Sequence, residues 1–139
     1  MSSKVRIDLE FPIHASPSFL YQYISTPDSM GEWFADNVNS RGKKYTFIWD
    51  DSEEVAERIA QKNEVFIRFK WEEDEDEGTY FELRIEVDDL TKDVSLLVID
   101  FAEEDEVEES KMFRRIIQLI YNRKALIYQG FFYFCIFNK

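Results

Sequence analysis

The chain contains one cysteine and one histidine in 139 residues, with only three prolines and four glycines. A lone thiol, Cys135, closes no disulfide within the chain, which accords with a reducing compartment. Its aromatic and aliphatic neighbours disfavour a thiolate, so it reads as an inert thiol rather than a nucleophile. The lone imidazole, His14, has no second histidine with which to hold a metal and no spacing that supplies a nucleophile and an orienting acid. His14 therefore reads as a structural or surface residue. Basic residues are also scarce: 17 Lys and Arg stand against 29 Asp and Glu, a net charge of −12. Such a chain repels phosphate backbones and anionic lipid surfaces, and no Lys/Arg cluster interleaves with aromatics, which argues against a nucleic-acid partner. The first residues, MSSKVRIDLEF, lack the apolar run of a secretory signal, so a cytoplasmic location is expected.

Apolar and aromatic residues are plentiful, at 45% and 17% of the chain. A domain of this size hides roughly two-thirds of its unfolded surface, so one domain over residues 1–139 is expected. Val5, Ile7, Leu9, Phe11 and Ile13 alternate with Lys4, Arg6, Asp8 and Glu10, the period of a strand with one wet face. Ser16-Pro17 and Thr26-Pro27 then each set a hydroxyl cap before a proline suited to a first helical turn. Two short helices follow, with Phe19, Leu20, Tyr23 and Ile24 on one apolar stripe and Met30, Trp33 and Phe34 on the other.

A turn is expected at Asn39 to Gly42, then a strand carrying Tyr45, Phe47 and Trp49, then a turn at Asp50-Asp51-Ser52. EEVAERIAQ has helical propensity, but it is short and lies between strands, which makes it a strand. Val65, Ile67, Phe69 and Trp71 alternate with polar or outward residues, as do Phe81, Leu83 and Ile85, and VSLLVIDF is apolar on both faces. Short turns between successive strands imply an antiparallel meander. The acids of residues 103–109 suit the start of a long helix whose stripe is Phe113, Ile116, Ile117, Ile120 and Tyr121.

Two features stand apart. EEDEDEG, residues 72–78, lacks the alternating ligands and spaced glycine of an EF-hand loop and reads as a solvated hairpin, so no metal is expected. Residues 111–139 carry six basic residues and no acid, and within them ALIYQGFFYFCIF, residues 125–137, is strongly apolar. As a helix that run reaches only about 20 Å against a hydrocarbon core of about 30 Å, too short to span a membrane. Burial against the domain, or self-association through this tail, is the physical expectation.

The order of these elements, with IHASPSFLYQYISTPDSMGEWFADNV, YTFIWD, IRFKW and DDLTKDVSLLVIDFAEEDE, resembles the START-like, or SRPBCC, superfamily over residues 4–121. Within it the chain is similar to small bacterial proteins related to the activator of the heat-shock-protein ATPase. The tail, residues 122–139, departs from that pattern. The resemblance implies an α+β helix-grip fold: a curved antiparallel β-sheet, two short helices after the first strand, and a long C-terminal helix across the concave face. The space so gripped would be lined by Trp33, Phe34, Phe69, Trp71, Phe81, Leu83, Ile85, Leu97, Ile99, Phe113 and Ile117. Large apolar walls can enclose a small apolar or lipid-like ligand, or can fill the space themselves. Two functions follow, neither enzymatic and neither needing a cofactor: a binder of such a ligand, or a co-chaperone-like protein-interaction module with a filled core and an acidic surface. No catalytic constellation is visible in the sequence.

Overall fold

Two hydroxyls fix where the helices begin. In the computed structural model, which describes residues 4–49 and 52–103, β1 (Lys4–Ile13) leads to α1 (Pro17–Ser25) and α2 (Pro27–Trp33). Ser16 Oγ accepts the Phe19 N–H at 3.1 Å, and Thr26 Oγ1 accepts the Ser29 N–H at 3.4 Å. Thr26 serves both helices, since its own N–H closes α1 on the Gln22 carbonyl at 3.3 Å. One residue between the helices forces a sharp corner, and both helices drop onto the same side of the sheet. The buried stripe of α1 is Leu20, Tyr21 and Ile24. Phe19 is not part of it: that ring lies at the surface, 5.1 Å from Tyr23, because the helix turns Tyr21 inward instead.

The strands β2 (Asn37–Arg41), β3 (Lys44–Trp49), β4 (Ser52–Lys62), β5 (Phe66–Trp71), β6 (Phe81–Val87) and β7 (Val94–Glu103) complete a curved seven-stranded sheet. Its order is β1-β7-β6-β5-β4-β3-β2, antiparallel throughout. The expected turn at Asn39 to Gly42 is corrected. Asn37–Arg41 is a strand, and the chain reverses only at Gly42 and Lys43, with Arg41 opposite Lys44. Gly42 has φ of +61° at the first of the two central positions, where a II′-type hairpin turn calls for glycine. NVNSR carries almost no apolar alternation because β2 is an edge strand with one buried residue, Val38.

β4 is a strand despite its helical propensity. Partners on both sides, β3 and β5, satisfy its backbone, and an irregularity in register between Arg58 and Ala60 sets Ile59 out at the surface. The face toward the helices, here the inner face, is set by register. Ile13, Phe47, Ile67, Phe69, Trp71, Phe81, Leu83, Ile85, Val94, Leu96 and Val98 lie on it with the buried residues of α1 and α2. The expected long helix after residue 103, with its stripe, and the apolar tail lie outside the described residues.

The helical corner is tied to the sheet by a polar bond as well as by packing. The indole N–H of Trp49 donates to the Phe34 carbonyl at the end of α2, buried, at 3.1 Å. Trp49→Phe keeps most of the ring contacts and removes that buried bond. We expect a loss of about 0.5–1.5 kcal/mol in urea unfolding, the net contribution of one intramolecular hydrogen bond; an unchanged midpoint would show that the bond contributes nothing.

Candidate functional site

The expected gripped space can be built residue by residue from the strand registers. Phe69 and Phe81 stack across β5 and β6 with ring centroids 4.8 Å apart, and Trp71 stacks on Phe81 at 4.5 Å. Phe47 meets Phe69 edge-on at 5.9 Å, and Tyr45 meets it at 4.9 Å. Phe34, the residue that ends α2, reaches down onto this layer: 5.1 Å from Phe47, 5.9 Å from Trp49 and 6.0 Å from Phe81. Each such pair adds about 0.5–1.5 kcal/mol beyond the burial of its surface. Phe34, Phe47, Phe69 and Phe81 are all essentially without solvent exposure. Six of the expected lining residues, Phe34, Phe69, Trp71, Phe81, Leu83 and Ile85, thus come together in one core, and the aromatic ones among them form a connected set of ring contacts.

Leu97 and Ile99 do not join them. Leu83 lies opposite Val98 and Ile85 opposite Leu96, so the inner-facing set of β7 is Val94, Leu96 and Val98. Ile99 stands opposite Glu82 and Leu97 opposite Arg84, on the outer face. A strand apolar on both faces hides its parity, and only its neighbour reveals which set points inward. The side chain of Trp33, and Phe113 and Ile117, lie outside what the structure describes.

Polar groups that periodicity passed over sit at the margins of this core. Asp100 continues the inner row of β7 and is 4% exposed, opposite Ile7 of β1. Arg58 donates to the Tyr45 hydroxyl at 3.5 Å, and that hydroxyl donates to the Ser25 carbonyl at 3.2 Å, joining β4, β3 and the end of α1. Gln61 reaches the Tyr21 hydroxyl at 3.3 Å. The signal for Asp100 was present in the sequence: it occupies the next place after Val94, Leu96 and Val98.

The outer face holds a second buried carboxylate. Glu82, 1% exposed, accepts from Arg68 Nε at 2.6 Å through one oxygen and from Arg84 Nε at 2.7 Å through the other. Both guanidiniums lie over the Phe66 ring, at 5.5 and 4.7 Å, and Arg68 lies over Tyr80 at 4.4 Å. Both lone-pair sides of the carboxylate are occupied, which is what a buried charge requires.

The acidic loop between β5 and β6 leaves Glu72, Glu73, Glu75 and Glu77 exposed, as a solvated hairpin should, and is tied down at Asp74, Asp76 and Thr79. Lys70 sends its ammonium into the loop, donating to the Asp76 carbonyl, to the Thr79 carbonyl at 3.0 Å and to Thr79 Oγ1 at 2.7 Å. The Thr79 hydroxyl donates to Asp74 Oδ2 at 2.7 Å, and Lys4 of β1 pairs with Asp74 at 3.0 Å. No group of three or more His, Cys, Asp and Glu side chains among the described residues is arranged to hold a metal.

The architecture defines a class: an antiparallel sheet with a helical corner after its first strand, pressing an aromatic layer against the inner face. A family model for the START-like superfamily domain matches residues 1–125, and the chain belongs to that superfamily. Among solved structures, the chain is similar to BfR322 from Bacteroides fragilis, at 35% identity over 88% of this chain and 93% of that one, with a TM-score of 0.59. The Aha1 dimer from Colwellia psychrerythraea shares the fold at 15% identity over 91% of this chain and 98% of that one, with a TM-score of 0.70. MLL2253 from Mesorhizobium loti does so at 14% identity over 85% and 98%, with a TM-score of 0.60. No curated protein matches the sequence.

Two tests follow from this geometry. Phe81→Ala removes the ring that touches Phe34, Phe69 and Trp71, and we expect a loss of about 3–5 kcal/mol with a cavity left behind. Benzene added to the variant should raise its melting temperature while leaving the parent unmoved; equal shifts in both would mean that the layer already has room. For the loop, burial alone would raise the Asp74 carboxyl, but the Thr79 hydroxyl, the Asp76 N–H and Lys4 outweigh it and hold it below its ordinary value of 3.8. The fold favours the ionised form, so the stabilisation is complete above 3.8 and is lost as pH falls through the lower folded value. In Asp74→Asn that acid-side loss should vanish: the gap in melting temperature between parent and variant should close on acidification, and a constant gap would exclude the linkage.

Proposed function

We propose that this START-like domain acts as a non-catalytic protein-interaction module whose grip is filled by its own side chains. The observation that carries this reading is the aromatic layer: Phe34, descending from the helical corner, closes on Phe47, Trp49 and Phe81, where an occupant would otherwise lie. A ligand there would have to separate rings already at contact distance, losing their mutual attraction before gaining its own. The likeness in fold to Aha1 of Colwellia psychrerythraea supports a co-chaperone-like role. With a net charge of −12, a basic protein surface is the partner chemistry that fits.

A second function, a small apolar or lipid-like ligand, has one observation in its favour. On the inner face of β1, at the far side of the sheet from Phe47, Val5 is 36% exposed and Leu9 and Phe11 are only partly buried. A ligand of that class would lie there, against the β1 and β7 end of the sheet rather than among the stacked rings.

Native mass spectrometry of the full chain purified from its own cells separates the two. We expect the bare polypeptide mass, and a stoichiometric apolar adduct would transfer the function to ligand binding. Capture of a basic partner should fall steeply between 0.05 and 0.5 M salt, since exposed charges are screened beyond about 8 Å at physiological ionic strength.

A further inference from the structure

β1 forms one edge of the sheet: β7 pairs with one side of it, and no described strand pairs with the other. Ten residues of edge strand present a row of backbone donors and acceptors, a template for another strand. The side chains decide which strand fits. The outer row reads Lys4, Arg6, Asp8, Glu10, cations first and then anions, and the inner row between them reads Val5, Ile7, Leu9. In a chain of net charge −12, this outer row sums to zero.

Rotated by a two-fold axis through Ile7, the strand is its own complement. Lys4 then faces Glu10 of the second copy, Arg6 faces Asp8, Val5 faces Leu9 and Ile7 faces its own equivalent. Centring the axis on Arg6 instead would set two arginines against each other, and centring it on Asp8 would oppose two aspartates. Directly opposed like charges destabilise a strand pair, so the pattern selects the axis through Ile7. We propose that a second copy of this chain docks along β1 in that antiparallel register, extending the sheet across a two-fold axis.

The groups needed are accessible. The side chains of Arg6 and Asp8 are 50% and 47% exposed. They pair with each other along the strand at 2.7 Å, a contact between exposed groups that contributes little alone and that two copies would share in an alternating square. Lys4 is engaged by Asp74 and Asp76, so the inner Arg6 and Asp8 pairs carry the register. Pro12 has no N–H to offer and limits the pairing to the part of the strand before it.

Sedimentation equilibrium of the full chain tests this. The parent should show a concentration-dependent dimer. Arg6→Asp and Asp8→Arg, each alone, oppose like charges twice across the axis and should weaken the dimer by about tenfold or more. An equimolar mixture of the two variants restores every opposite pair and should regain the parent affinity. A parent monomeric at every concentration, a dimer indifferent to both reversals, or a mixture that stays dissociated would each overturn the proposal. Hydrogen exchange on the unmutated chain gives a check independent of variant folding: amides of residues 4–10 should gain protection with concentration while those of β2 do not, and the reverse would place the interface elsewhere.

Discussion

The position of Phe34 governs how this sheet and its helices become one body. A sheet of seven strands curls but does not close by itself, and two helices of nine and seven residues are too short to persist alone. What joins them is a residue at the end of α2 whose ring enters the aromatic layer and whose carbonyl accepts the Trp49 N–H. Everything upstream serves that placement. The Ser16 and Thr26 caps fix the lengths of the helices, and the corner at Thr26 aims α2 across the end of the sheet toward β2 and β3. Everything downstream answers it: Phe69 and Phe81 face each other across β5 and β6, Trp71 stacks on Phe81, and Phe47 reaches Phe69 and Phe81 from β3, on the other side of β4.

Charge is placed with equal economy. An acidic chain repels itself when folded, yet two of its carboxylates, Glu82 and Asp100, are taken out of water. Glu82 is held because Arg68 and Arg84 approach from neighbouring positions on β5 and β6, and Phe66 supports both guanidiniums from beneath. The same logic orders the acidic loop. Lys70 and Lys4 enter it from two different strands, so a run of acids that would otherwise splay apart closes around two ammonium groups. Local neutrality within a strongly negative whole is therefore a feature of both the outer face and the loop.

Much of this was legible in the sequence, and the exceptions share a cause. The caps and the alternation of β1, β3, β5 and β6 follow from short-range pattern, each written within a few residues, whereas the strand nature of β4 follows from its place between strands against its own helical propensity. β2 escaped because an edge strand needs only one buried residue, and Val38 alone makes no pattern. The inner set of β7 escaped for the opposite reason: Leu96, Leu97, Val98 and Ile99 are all apolar, so the choice between Leu96 with Val98 and Leu97 with Ile99 belongs to the register with β6. The stripe of Phe19, Leu20, Tyr23 and Ile24 leaves out Tyr21, which is buried and has a partner in Gln61 forty residues away in the chain, a contact that no local pattern supplies. Of the aromatic residues expected at the site, Phe34, Phe69, Trp71 and Phe81 meet in the core, while Tyr45, Phe47 and Trp49 of β3 join them without having been expected there, because contact across β4 leaves no local pattern.

Ring contacts on the inner face also constrain the outer one. Rings in mutual contact hold strands in register, so that side chains on the other face and along the edges keep fixed positions. The Arg68, Glu82 and Arg84 cluster illustrates the gain. Replacing such a buried ionic group by apolar residues often stabilises a protein, so its value is better sought in specificity than in strength. Here it joins β5 to β6 at the centre of the outer face, and a strand slipped by one residue would send Glu82 into the aromatic layer and Phe81 into solvent. The register that packs the rings inside is thereby the register that neutralises the carboxylate outside. Neither face can be rearranged without disturbing the other.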